Sequence, residues 1–225
     1  MSGIYRFLFP VLLLSSSILL SSCGSGTGAQ VRLMNASPDE GQINFLVGDR
    51  TVASSLGYTS VSNYESVSTG SQDVQIEPVG SSTVALTQTL NLAQGSKTTV
   101  LAENFSANLV IASYTDDTTA PDSGKAKLRL IHAAPSLGTV DVFVVAPGTD
   151  LNTVTAAVPA LAFENASAYL SLAAGTYEVL YVIPGSTFVL FDAGSFTLAA
   201  GQNRTVVSLN GSTGGFSTLT LSDLN

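Results

Sequence analysis

His132 is the only histidine in the 225 residues and Cys23 the only cysteine, so chemistry that needs an imidazole or a thiol must start from one of them. A serine–histidine–acid relay would set His132 between a serine and a carboxylate. Both partner types abound, but the Gly-x-Ser-x-Gly elbow that presents such a nucleophile is missing. Zinc and iron–sulfur sites need several thiolates or imidazoles, which one histidine and one cysteine do not supply. Asp116, Asp117 and Asp122 cluster in one polar stretch, with Asp39, Glu40, Asp150 and Asp223 at loop positions elsewhere. Calcium takes six to eight oxygens from such groups, which makes Asp116, Asp117 and Asp122 calcium candidates. Their spacing fits no defined calcium loop, and they read first as solvated linker acids. Two distant acids could hydrolyse a glycoside, yet the stacking aromatics of sugar sites are scarce, with no tryptophan in the chain. No catalytic residues, cofactor or resident metal are expected.

The elements that hold these residues are strands. Charged residues make up only 11% of the chain and hydrophobic residues 45%, with few of the Lys, Glu and Arg that cover solvent-facing helices. Val74 and Ile76 interleave with Asp73, Gln75 and Glu77, and Leu86, Leu90 and Leu92 with Thr87, Thr89 and Asn91, the period-two pattern of a strand with one wet face. Glycine and proline turns separate such runs, and no amphipathic helix of useful length appears.

The strands recur in order. Val31-Arg32-Leu33-Met34-Asn35-Ala36-Ser37-Pro38 returns as Leu128-Arg129-Leu130-Ile131-His132-Ala133-Ala134-Pro135. Tyr58, Ser62, Tyr64 and Gly70 then align with Phe163, Ser167, Tyr169 and Gly175, after an insertion in the second copy containing Pro147-Gly148-Thr149-Asp150. Thr99-Val100 aligns with Thr205-Val206, and Tyr114-Thr115-Asp116 with Leu221-Ser222-Asp223. Order and near-constant spacing over a whole unit point to duplication. The expected division is 31–116 for the first copy, 117–127 for a linker and 128–225 for the second. About seven or eight strands in each suggest an all-β chain of two tandem immunoglobulin-like antiparallel sandwiches, a closed barrel being the alternative. Asn35 occupies the place of His132, so a hydrogen-bonding role common to both copies, tying a strand end to the turn at Pro38 or Pro135, is expected rather than catalysis. Val142-Phe143-Val144-Val145, Tyr177 to Ile183 and Phe188-Val189-Leu190-Phe191 are apolar on both faces. Such runs need cover on each side, expected from a central position or from the first copy, a partner groove being the alternative.

Residues 1–22 have the parts of an export leader: a basic start with Arg6, an apolar core from Phe7 to Leu20 interrupted by Pro10 and three serines, and a small-residue exit. The core is too short and broken to span a bilayer stably. Leu20-Ser21-Ser22-Cys23 resembles the lipobox of bacterial lipoproteins, with residues 23–30 as a flexible tether. That resemblance implies cleavage before Cys23, a diacylglyceryl thioether on its sulfur and an amide-linked acyl chain such as palmitate on its amino group. One chain alone would anchor only marginally. It further implies a lipid-anchored protein of the bacterial envelope, and Gly24 leans toward the outer membrane.

Leu128-Arg129-Leu130-Ile131-His132-Ala133-Ala134-Pro135, followed by Val140-Asp141-Val142-Phe143 and by residues 169–179, is similar to the domain-of-unknown-function family numbered 4397. Copy one departs from that pattern at Asn35. The resemblance implies extracytoplasmic β-sandwich modules without an established enzymatic activity. Without the leader the chain carries 7 basic and 16 acidic residues, 7 − 16 = −9, which repels nucleic acid. The expected partners are a membrane, through Cys23, and a protein or glycan not identified by the residues. The expected role is binding, adhesion or spacing without catalysis. A hydrolase of wall or surface polymers, using His132 or an Asp/Glu pair, is the alternative.

Overall fold

In β1 (Ala29–Asn35) the odd-numbered Val31 and Leu33 turn into one apolar layer while Arg32 and Met34 turn the other way, and both sets are buried. The structure, a computed structural model, describes residues 28–224. The first half continues with β2 (Ile43–Val47), β3 (Arg50–Leu56), β4 (Glu65–Val67), β5 (Gly70–Pro78), β6 (Leu86–Leu92), β7 (Lys97–Glu103) and β8 (Val110–Thr115). These make two sheets of order β4-β1-β7-β8 and β3-β2-β5-β6. The second half supplies β9 (Lys125–His132), β10 (Val140–Val145), β11 (Val158–Leu161), β12 (Asn165–Ala166), β13 (Leu170–Ala173), β14 (Gly175–Val182), β15 (Val189–Leu198), β16 (Asn203–Asn210) and β17 (Phe216–Leu224). Their sheets are β12-β9-β16-β17, with β13 also on β9, and β11-β10-β14-β15. Strand order therefore repeats position for position, and the chain is all-β.

Each half is a sandwich. Val31, Leu33 and Val100 of one sheet meet Phe45, Val74 and Ile76 of the other, and Leu128, Leu130 and Val206 meet Val142, Val179 and Tyr181. A third apolar layer joins the halves, where Met34, Ala36 and Leu101 pack with Ile131, Ala133, Val207, Leu209 and Leu221. The sheets containing β1 and β9 are thus inner sheets, covered on both faces.

Three expectations change. The sandwiches are not purely antiparallel, because β1 pairs with β7, and β9 with β16, in parallel. Alternation reports which face is buried and says nothing of strand direction. The strands also reach further than the sequence suggested. Ala29 and Gln30 pair with Val67 and Ser66, and β9 opens at Lys125, so the tether and the linker each lose residues to a sheet. Finally, the doubly apolar runs of β10, β14 and β15 are not the ones between the halves. Phe143, Leu180 and Val182 of that outer sheet are covered by Leu151 and Ala156 of the second-copy insertion, whereas Ile183, Phe188, Val189 and Leu190 stay exposed. The inner strands hid their second buried face by filling it with Arg32, Thr99, Arg129 and Thr205.

Leu101 is wholly buried between the inner sheets. Leu101→Ala is expected to cost about 2–5 kcal/mol in denaturant unfolding. Residues 28–224 should still unfold in one transition, because the shared layer couples the halves.

Candidate functional site: a reciprocal charged clasp

Arg32 and Arg129 are only 4% and 3% exposed, an unusual place for guanidinium groups. Strand alternation explains their direction, since each lies between two core residues and must point at the opposite inner sheet. Parallel register then sets Arg32 beside Thr99 and Arg129 beside Thr205. Arg32 donates through Nε and Nη2 to Thr99 Oγ1 at 3.2 and 2.7 Å, and Arg129 donates through Nε to Thr205 Oγ1 at 3.0 Å.

The remaining donors cross to the other half. Arg32 Nη1 reaches the Ser222 carbonyl at 2.8 Å and Nη2 reaches Asp223 Oδ1 at 2.6 Å. Arg129 Nη1 reaches the Thr115 carbonyl at 2.9 Å, and its Nη2 donates to Asp116 Oδ1. Each aspartate is also held by its own half. Tyr64 Oη donates to Asp116 Oδ2 at 2.8 Å and Tyr169 Oη to Asp223 Oδ2 at 2.9 Å, while Thr99 and Thr205 donate to the same two carboxylates. The guanidinium carbons stand 4.7 Å from the Tyr64 ring centroid and 4.9 Å from that of Tyr169. Burial and the adjoining carboxylate push the Tyr64 phenol up; burial and Asp223 do the same for Tyr169, against the pull of its arginine, so both phenols remain donors. Two cations and two anions are thereby buried with their main valences used.

The linker acids diverge. Asp116 points into the clasp, Asp117 Oδ2 takes Lys127 Nζ at 2.6 Å, and exposed Asp122 lies 3.6 Å from Lys125 Nζ. Burial raises the Asp117 carboxyl, but bonds from Lys127 and Thr119 outweigh it and lower its pKa. No group of three or more His, Cys, Asp or Glu among the described residues is placed to hold a metal ion. Cys23 lies outside the described residues.

His132 and Asn35 stand at equivalent strand ends with equivalent bonds. Asn35 Nδ2 donates to the Gly41 carbonyl at 2.7 Å and His132 Nε2 to the Gly138 carbonyl at 2.6 Å. Asn35 Oδ1 accepts the Ser37 N–H at 3.1 Å, and His132 Nδ1 accepts the Ala134 N–H at 3.3 Å, in each case just before Pro38 or Pro135. Gly41 and Gly138 take φ of 75° and 74°, the left-handed turn that brings those carbonyls back. Both ring nitrogens of His132 are thus occupied by backbone in the neutral form, and burial holds its pKa below the usual histidine value.

An open cleft of about 750 Å³ lies on the outer sheet of the second half, lined by Asp141, Phe143, Leu151, Asn152, Val154 and Thr187 among others. Its one carboxylate, Asp141, accepts the Ala160 and Gly185 N–H groups at 2.7 and 2.8 Å. No acid–base pair faces that space.

Sequence reasoning missed Glu103. It shares the β7 face of Thr99 and Leu101, is fully buried against the second half, and has no partner for Oε2. Tyr114 Oη stands 3.4 Å from Oε1. Burial first, then the charge of Glu164, pushes its pKa up to about 8. The signal was available: its counterpart in the repeat is Leu209, so an acid fills a position that alternation assigns to the interior.

His132→Asn is expected to leave stability within about 1 kcal/mol, whereas His132→Ala, which strands the Gly138 carbonyl and the Ala134 N–H, should cost about 1–3 kcal/mol in the same unfolding assay. Glu103 gives a pH dependence of known sign. From about 4.5, the ordinary value, to about 8 the unfolded chain sheds a proton that the folded chain keeps, so stability falls as pH rises through that window. Glu103→Gln should remove this slope, its advantage over the unmodified protein growing with pH up to about 8 when unfolding midpoints are measured from pH 5 to 9.

No curated protein matches the chain. Among solved structures it is similar to a carbohydrate-binding module of family 26 from Eubacterium rectale Amy13K, crystallised with maltoheptaose. That similarity has 8% identity and a TM-score of 0.27, over 85% of this chain and 96% of that one, a likeness too loose to speak for ligand or activity. A family model matches residues 29–143, a stretch that runs from β1 through the linker into β10 and includes Arg32, Asp116, Arg129 and His132. The chain belongs to the family described as DUF4397, a domain of unknown function.

Proposed function

We propose that this is a non-catalytic, lipid-anchored protein of the bacterial envelope, its two tandem immunoglobulin-like sandwich domains serving as a stiff body that binds or spaces a protein or glycan partner. One observation carries the reading: the side chains best suited to acid–base work are spent on holding strands together. His132 is bonded to backbone on both nitrogens, and Asp116, Asp223, Arg32 and Arg129 close the clasp. A general acid or base must reach a substrate proton, and these groups face protein.

The placement of charge supports anchoring at the N-terminal end. Strand registers put Ala29, Lys97, Lys125, Asn203 and Leu224 at one end of the inner sheets. Arg32, Arg50, Lys97, Lys125, Lys127, Arg129 and Arg204, all the basic residues after the leader, lie toward that end. Asp39, Glu40, Glu77, Asp141 and Glu164 lie toward the other end, without a basic residue among them. Anionic headgroups repel an acid-only pole and tolerate the mixed one, so a tether from Cys23 to Gly28 would hold the body upright with its acidic end outward.

Replacing Cys23 by serine removes the acylated sulfur. The protein should then leave the membrane fraction for the soluble one; persistence on membranes would overturn the anchoring.

A further inference from the structure

The clasp is reciprocal. Each half brings the same four residue types, Arg32, Tyr64, Thr99 and Asp116 in one and Arg129, Tyr169, Thr205 and Asp223 in the other, and each aspartate is bonded by its own Tyr and Thr and by the opposite arginine. The apolar rows correspond as well, Met34 and Leu101 answering Ile131 and Val207. An interface in which residue i meets j and j meets i is isologous, and a surface of that kind is complementary to itself. Arg32 Nη2 already lies 3.8 Å from Asp116 Oδ1 of its own half, so the four charges form one compact group in which either aspartate is within reach.

We propose that the inner-sheet face is a homotypic docking surface. Its partner is the same half of a second copy of this chain, which carries arginine, tyrosine, threonine and aspartate at these positions. Glu103 biases the choice. It replaces Leu209 on that face, so a pair of first halves buries two carboxyls that each keep an oxygen without a partner, a mixed pair one, and a pair of second halves none. Burying an unpaired polar group costs free energy each time, which ranks the three pairs in that order.

In the intact chain the linker selects the mixed pair. Asn203 Nδ2 holds the carbonyls of Asp117 and Thr119 at 2.6 and 3.0 Å, and Asp117 N–H reaches Tyr169 Oη at 3.3 Å, so the two faces are kept together at high effective concentration. Cutting the exposed stretch 120–123 removes that advantage. The inference is independent of the lipid anchor.

The experiment uses the chain from residue 24 onward with a protease site in 120–123, folded intact and then cut. Isotopically heavy and light preparations are mixed, and native mass spectrometry counts the pairs. Mixed, first–first and second–second pairs should all form, with second–second at least about tenfold more abundant than first–first. Glu103→Leu should bring first–first pairs up toward that level. Asp116→Asn together with Asp223→Asn should weaken every pair by about tenfold or more. Arg32→Asp with Asp223→Arg puts two acids on one half and two cations on the other, and should leave mixed pairs alone. Only mixed pairs from the unmodified chain, whether or not they exchange, would overturn the proposal. So would halves that separate without re-pairing, or asparagine variants that pair as well as the parent.

Discussion

Two guanidinium groups buried between sheets set the terms for everything around them. Neither can be left unpaired, since an isolated buried charge costs far more than any single contact returns. The carboxylate each one requires comes from the other half of the chain, at the far end of β8 or β17. The last residues of each half are therefore part of the other half's interior. Tyr64 and Tyr169 add a ring under each cation and a donor to each anion, and Thr99 and Thr205 relay between them. The result is neutral and buried, where salt screens poorly.

Much of this architecture was legible in the residues before any coordinate. Period-two alternation located the strands, and the repeat located equivalent positions, so Arg32 with Arg129, Tyr64 with Tyr169, Thr99 with Thr205 and Asp116 with Asp223 were already paired as counterparts. Their meaning was not legible, because a repeat shows which residues are equivalent and not which ones touch. A contact between counterparts' partners, Arg32 to Asp223, needs the two-fold relation of the halves, which is a property of space. Polar residues on the second face of β1, β7, β9 and β16 also disguised those strands as half-solvated, while the visibly apolar β10, β14 and β15 drew attention to an outer sheet. The insertion shows in the sequence only as extra residues around Pro147-Gly148-Thr149-Asp150, and that it lays Leu151 and Ala156 against Phe143 and Leu180 is decided in space.

His132 shows the opposite case, where chemistry suggested by residue type dissolves in geometry. A lone histidine invites a catalytic reading, but the copy with asparagine makes the same two backbone bonds to the same turn. What that turn needs is a short side chain with one donor and one acceptor at the right separation, and both residues supply it. Titration is not part of the task, and burial works against it.

An apolar layer alone could have joined the inner sheets more cheaply, which leaves the question of why charges stand there. Met34, Leu101, Ile131 and Val207 are similar in size and non-directional, so sliding one sheet along the other by a two-residue period would still lay apolar side chains on apolar side chains. The same slide would carry each arginine away from the aspartate and the carbonyl of the other half, breaking the direct bonds that satisfy the buried charges. The penalty falls almost wholly on the wrong registers, since in the right one every guanidinium and carboxylate has its partners. A buried polar element that fixes register at some cost in stability is a known use of such groups. Here it sits at the end of the inner sheets where the linker enters and the chain ends, so the halves are locked where they are joined. At the other end one oxygen of Glu103 lacks a partner, and the polar link between the halves there, among the described residues, is a single neutral bond from Tyr58 Oη to the Asn210 carbonyl, so the charges that fix register stand at the clasp.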